Sequence, residues 1–394
     1  MDEQNNGEIF STDLAGIIVG ETEISNVDGV SGSLSYRGVN IADLVNRPVM
    51  EVVGLLLFGA DGASPEVQSD ARLLRDASSS ERLCDYEEEL TAFTIDHRRL
   101  SAEELQLLRD LPFDLHPMLV LQGMIPFLNI PYREQAEGSI LADEVVQQGL
   151  GIAAKIPSII AARHRLINGN SIIPSGDSLS LHENFLLMFH GRVPSREQVR
   201  ILDAVQILQM EHSFNAGTFA GRVCASTLAP IQSSISASVG TLFGVLHGGA
   251  DQAALEMAKK IGSPDKAAAY VADCLERKIK IMGMGHREYK VVDPRAKILK
   301  PMALSLCEQG QGKELLEVLV SVEAACQTAF AKQGKEIWAN VEFYKGAVFH
   351  SLGIESNFFT SLFAMARVYG YVAHYLEFSQ NSRLIRPRAK YVGR

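Results

Sequence analysis

A chain of 394 residues exceeds what one ordinary hydrophobic core organises, so two domains, or one body with an inserted lobe, are expected. Its 46% hydrophobic and 21% charged residues are a globular composition, and a formal net charge of −10 argues against a general nucleic-acid partner, since phosphate backbones are held by excess Lys and Arg. Five scattered cysteines without a C-x-x-C pair, an acidic start (MDEQNNGEIF) unlike a basic leader, and no apolar run near the roughly 18 residues of a membrane helix predict a cytoplasmic protein with reduced thiols and no membrane contact.

From Leu14 to Gly38, LAGIIVGETEISNVDGVSGSLSYRG alternates apolar with polar residues between glycines and predicts one or two short hairpins. From Ile41 onward the spacing becomes helical. Helices are expected over 65–80, 86–96, 101–110, 140–164, 178–190, 195–212, 230–245, 250–261, 264–282, 294–308, 312–333 and 357–378, divided by Pro, Gly or Asn-Gly signals. No βαβ alternation, internal repeat or low-complexity linker intervenes. The class is therefore all-α with a small N-terminal β-hairpin.

Five stretches carry residues suited to chemistry. Ile201, Val205, Leu208 and His212 fall four, three and four apart, so His212 continues a buried stripe; a satisfied core histidine is the ordinary outcome, and the small residues and Asn of EHSFNAGTFAGR keep a ligand role open. His247 precedes two glycines and a helix start, where free N–H groups favour an anion or a polarised carbonyl and a neutral ring; an incidental histidine at a glycine-rich junction is the alternative. In GMGHREYKVVDPR, Gly283 to Arg295, glycines and an Asp-Pro corner shape a loop that can turn His286 and Arg295 toward one point, a pairing suited to a small keto acid, although many loop charges only face water. Glu342 in WANVEFYKG lies between Val and Phe just after a helix, where desolvation can raise a carboxyl toward the range of a general base. In FFTSLFAMARVYGYVAHYLEF the polar Thr360, Arg367 and His374 recur every seven residues on an otherwise apolar helix, so Arg367 needs a carboxylate from the protein or from a ligand.

Other signals fail. The run QGQGKEL has Cys307 where a phosphate loop needs its first Gly and Glu314 where Ser or Thr would hold Mg²⁺. No H-E-x-x-H, zinc-spaced Cys/His cluster or G-x-G-x-x-G after a strand is present, so neither a metal nor a dinucleotide cofactor is expected.

The motifs EHSFNAGTFAGR, VLHGGAD, GMGHREYKVVDPR, NVEFY, ARVYGY and RLIRPRAKYVG, in this order and spacing, closely resemble the citrate synthase family of the shorter bacterial type, which includes 2-methylcitrate synthases. The resemblance covers nearly the whole chain. It implies a helical homodimer whose small domain, 248–347, closes over substrates bound to a large domain formed by 1–247 and 348–394. It places His212, His286, Arg295 and Arg367 on oxaloacetate, with Arg386 reaching into the partner's site, His247 on the thioester carbonyl of acetyl-CoA, and Lys290 at a position for a CoA phosphate. The implied reaction is a Claisen-type condensation of acetyl-CoA with oxaloacetate to citrate and CoA, with no cofactor beyond the acyl-CoA substrate. Use of propionyl-CoA and a weakly active or regulatory dicarboxylate-binding role are the alternatives. Such chemistry requires a base for a weakly acidic C–H and donors for the enol oxygen and the ketone, a set that Glu342, His247 and His286 supply. Five positions depart from the family pattern: Glu342 replaces the aspartate base, Lys345 a serine, Gly217 a serine, Val245 a proline and Asp251 an asparagine. An extra methylene moves a carboxylate by roughly 1.5 Å, enough to place turnover in question.

Overall fold

The chain opens into a three-stranded antiparallel sheet of β1 (Ser25–Asp28), β2 (Ser33–Tyr36) and β3 (Val39–Asn40), with Val27 opposite Leu34 and Tyr36 opposite Val39. This is a computed structural model, and it describes residues 11–59, 78–135, 139–308 and 312–393. All else described is helix and loop: α1 (Ile41–Leu44), α2 (Val49–Phe58), α3 (Ser78–His97), α4 (Ala102–Asp110), α5 (Pro117–Met124), α6 (Glu144–Ile167), α7 (Leu181–His190) and α8 (Arg196–Gln209). There follow α9 (Ala216–Ala225), α10 (Ile231–Leu242), α11 (Ala250–Ile261), α12 (Ala267–Glu276), α13 (Pro294–Glu308), α14 (Lys313–Ala331), α15 (Val341–Ser351) and α16 (Phe359–Ser379). The all-α class with a small N-terminal hairpin is thus the observed one.

Local chemistry sets the helix starts. Capping boxes open α4 (Ser101 with Glu104) and α8 (Ser195 with Gln198), and Asp143 accepts from Val145 and Val146 at the head of α6. The expected helix at 264–282 is interrupted: Pro264 begins a separate 3-10 turn, α12 ends at Glu276, and Lys278 at φ 54° turns the chain out of the helix. Helix α8 stops three residues short of His212. The expected helix at 65–80 lies outside the described residues except for the start of α3. Helices α2, α5, α9 and α15 were not singled out by periodicity, because α2 and α5 are apolar on most sides and α9 and α15 begin inside glycine-rich or aromatic motifs.

Helix α16 is the hub of one group, packing on α2, α5, α6, α8, α9 and α10 with sixteen of its residues buried. Helix α6 is long and apolar enough by composition to cross a membrane, contrary to the expectation from the sequence, yet 89% of that window is buried in this core. A second group packs α11 and α13 each on α14 and α15, α14 on α15, and α12 on α14. Where the two groups meet, α13 touches α8, and the loop 283–293 lies between them.

Candidate active site

Loop 283–293 owes its shape to two neighbours. On one side it pairs with the strand-like residues before α15: Gly285 N donates to Trp338 O at 2.8 Å, Asn340 N to Gly283 O at 2.9 Å, and Asn340 Nδ2 to Gly285 O at 2.9 Å. On the other side sits the β1–β2 turn, where Lys290 N donates to Gly29 O at 2.8 Å and a Cβ on Gly29 would come within 2.2 Å of Glu288 O. Only glycine permits that approach. The hairpin is therefore a brace for the loop.

Within the loop, His286 Nδ1 accepts from the amides of Glu288 (3.0 Å) and Tyr289 (3.2 Å), which leaves the ring proton on Nε2. That nitrogen faces Arg295 Nη2 at 3.2 Å. Two donors this close are stable only when one oxygen beside the pair accepts from both, which suits a carbonyl or carboxylate oxygen. Arg295, buried in the first turn of α13, is clamped by both oxygens of Asp293 at 3.0 and 2.9 Å, and Asp293 also accepts from Val341 N at 3.1 Å, tying the loop to α15. Burial works to raise the Asp293 carboxyl, but Arg295 holds it below the usual carboxylate range.

His212 is buried beside this pair, its Nε2 3.1 Å from Tyr289 Oη and its ring 5.4 Å from that of His286. Burial, reinforced by Arg295, His286 and Arg367, depresses it well below 6.5. Arg367 closes the corner from α16, 1% exposed, its Nε donating to the carbonyl of Gln209 at 2.7 Å. That carbonyl is unused because α8 ends there. Among the described residues Arg367 has no carboxylate within ion-pair distance, whereas Thr360 and His374, its companions on the same line, bond to Gly248 O (3.1 Å) and Glu211 Oε1 (2.9 Å).

His247 lies in the turn between α10 and α11. Its Nε2 meets Gly217 N at 3.3 Å, an amide left free at the second position of α9, and Asn215 Oδ1 at 3.1 Å. The amide can only donate and the Asn215 oxygen can only accept, so the two ask for opposite tautomers and the neutral ring can carry its proton on either nitrogen. Burial, then the charge of Arg367, lowers this ring to about 4, and burial with Arg295 lowers His286 to about 4, so both are neutral donors near pH 7.

Glu342 occupies the first turn of α15, below the Asn340 cap that accepts from its N–H at 3.0 Å. The expectation that it lies just after a helix is corrected, since it stands in the first turn of one. It contacts the ammonium of Lys345, one turn on, which also lies 3.1 Å from Asp251 Oδ2. Of the other expected residues, Lys290 is exposed, its Nζ on Arg287 O at 3.1 Å, and Arg386 is exposed on the tail, donating to Pro387 O at 3.2 Å. The structure thus gathers His212, His286, Arg295 and Arg367 at one corner and His247 with Glu342 beside it, the latter two close enough for the Glu342 charge to act on both His247 and His286. Asp293, Tyr289 and Gln209 were missed. Asp293 could have been found from its place two residues before Arg295, whereas nothing in the sequence marks Gln209.

The sequence profile of the family described as "Citrate synthase, C-terminal domain" matches residues 13–388. A citrate synthase of Synechocystis sp. is 35% identical over 98% of this chain and 91% of that protein. A 2-methylcitrate synthase of Shewanella oneidensis is 35% identical over 96% of this chain and 94% of that protein. The solved ternary complex of Thermoplasma acidophilum citrate synthase with carboxymethyl coenzyme A and oxaloacetate superposes with a TM-score of 0.81 at 27% identity, covering 96% of this chain and 95% of that one. Agreement in profile, in sequence along almost the full length and in fold makes this chain a member of the citrate synthase family.

Proposed function

We propose that the chain condenses acetyl-CoA with oxaloacetate, releasing citrate and CoA, at the corner described above. The observation that carries this is Arg367, a buried guanidinium without a carboxylate among the described residues, set beside Arg295 and the opposed donors of His286. A desolvated cation of this kind requires an anion, and two arginines with a ketone donor between them suit a keto dicarboxylate. On this reading Arg295 and Arg367 bind the two carboxylates, His212 packs the corner, and His286 Nε2–H polarises the ketone. A ring N–H of His247 donates to the thioester oxygen while Glu342 takes a proton from the acetyl methyl. The enol carbon then attacks the polarised ketone carbon, and water hydrolyses the resulting thioester to free CoA.

The helices between 248 and 347 are read as the smaller domain that closes over the acyl-CoA, with Lys290 near its phosphates. Arg386, on an exposed tail rich in Arg and Lys, is read as reaching the site of a second subunit in a homodimer. Mixing inactive Arg386→Ala and His286→Ala chains should restore part of the activity through hybrid dimers; no recovery after verified subunit exchange removes the trans assignment. Four free thiols among the described residues support a reducing, cytoplasmic setting.

The deciding experiment is CoA release on mixing the protein with oxaloacetate and acetyl-CoA. Release at the uncatalysed rate, with oxaloacetate still binding by calorimetry, would replace the enzyme reading by a regulatory one. Propionyl-CoA is a second reading because a 2-methylcitrate synthase is as similar as the citrate synthase quoted with it. The ratio of kcat/KM for the two thioesters decides it, one methylene being worth about 1–3 kcal/mol.

A further inference from the structure

The mechanism above leaves two fully buried charges without a role, Lys345 on α15 and Asp251 on α11. Lys345 Nζ lies 3.1 Å from Asp251 Oδ2, touches Glu342 Oε2, donates to Gln209 Oε1 at 3.1 Å and stands 4.2 Å from the centre of the Phe363 ring. Of these contacts the one to Gln209 is a hydrogen bond, and the two carboxylates face the ammonium as ion pairs. Asp251 and Glu342 each hold the second position of their helix, where a carboxylate is favoured, and α11 can approach because Gly346 has no side chain: a Cβ there would come within 2.6 Å of Asp251 O. Burial pushes the Asp251 carboxyl up to about 6, with Lys345 working against that shift and Glu342 with it. Two carboxylates and one ammonium sum to −1, so the group does not welcome a further anionic substituent on the acyl chain.

We propose that Lys345, braced by Asp251 and Gln209, is a positioning residue that holds the Glu342 carboxylate at the acyl corner. This rests on the reading of Glu342 as the base. Three of the five departures from the family pattern, at 251, 342 and 345, are then one contacting set in which the lysine takes up the longer reach of glutamate. Gln209 joins that set to the other corner, since its carbonyl receives Arg367 while its side chain receives Lys345.

The test is the double variant Lys345→Met with Asp251→Asn, which leaves neither charge buried alone and keeps an unbranched side chain at 345. With folding verified by thermal denaturation, kcat should fall on the order of ten- to a hundredfold while KM for oxaloacetate stays within about twofold, as expected of a base displaced by part of an ångström. Glu342→Asp should also lower kcat, and adding it to the double variant should cost far less than in the parent, because the contact it breaks is already gone. Unchanged kcat in the double variant, an equal change in kcat and KM, or strictly additive losses would overturn the positioning role. Failure of the underlying reading shows separately, as full turnover in Glu342→Gln.

Discussion

Around the keto-acid corner, Arg367 is held by the carbonyl of Gln209, His286 by the amides of Glu288 and Tyr289, and Arg295 by its own carboxylate, Asp293. Around the acyl corner, Glu342 is held by an ammonium on a flexible four-carbon stem that must also satisfy Asp251 and Gln209. The first corner is fixed largely by backbone groups, with one carboxylate clamp on Arg295, and carries excess positive charge; the second is fixed by side chains and is net negative. Backbone contacts survive substitution of their neighbours, so a site can keep its binding geometry while its reacting carboxylate is rebuilt. On the proposed reading that is the pattern here, since His212, His286, Arg295 and Arg367 keep the residues of the family motifs while Asp251, Glu342 and Lys345 depart from them together.

The comparison breaks most sharply at Glu342. Glu342→Gln keeps shape and removes the base, so kcat should fall 10²–10⁴-fold or thereabouts with little change in oxaloacetate affinity, read by CoA release and calorimetry. Arg367→Leu tests the opposite corner: oxaloacetate binding should weaken by roughly a hundredfold, about 3 kcal/mol, as a buried charge-assisted contact is lost. Were Arg367→Leu to lower kcat alone, the division into two corners would be wrong. Gly29→Ala should press on Glu288 and shift His286, lowering kcat/KM by about tenfold with the chain still folded. Unchanged kinetics would mean that the hairpin does not brace the loop.

The smallest effect is on stability against pH. His247 and His286, lowered from 6.5 to about 4, bind fewer protons folded than unfolded between those values, so the stability they leave intact above pH 6.5 is lost as pH falls toward 4. Asp251, raised from 3.8 to about 6, acts in the other sense and weakens the fold as pH rises through that window. Each histidine should contribute about 1–2 kcal/mol after allowance for its partial exposure, so the fall in Tm between pH 7 and 4.5 should be shallower in His286→Gln. An unchanged slope would show that His286 does not titrate in that range.

Periodicity was enough to mark the class, the long helices and the inward direction of Arg367 and His374, because a seven-residue recurrence on an apolar helix is a property of the chain alone. Shape signals likewise marked the 283–295 loop, since Asp-Pro and glycine restrict the backbone wherever they occur. Helix α15 escaped, and with it the setting of Glu342, because its start depends on the Asn340 cap and on pairing with a loop some fifty residues earlier. The sequence showed Glu342, Lys345 and Asp251 as three separate oddities. Only the packing of α11 on α15 brings two carboxylates to one ammonium, because ion contacts form between helices whose separation in sequence carries no trace of their distance in space. The same holds for Gln209, an ordinary helix residue until the end of α8 leaves its carbonyl free beside Arg367.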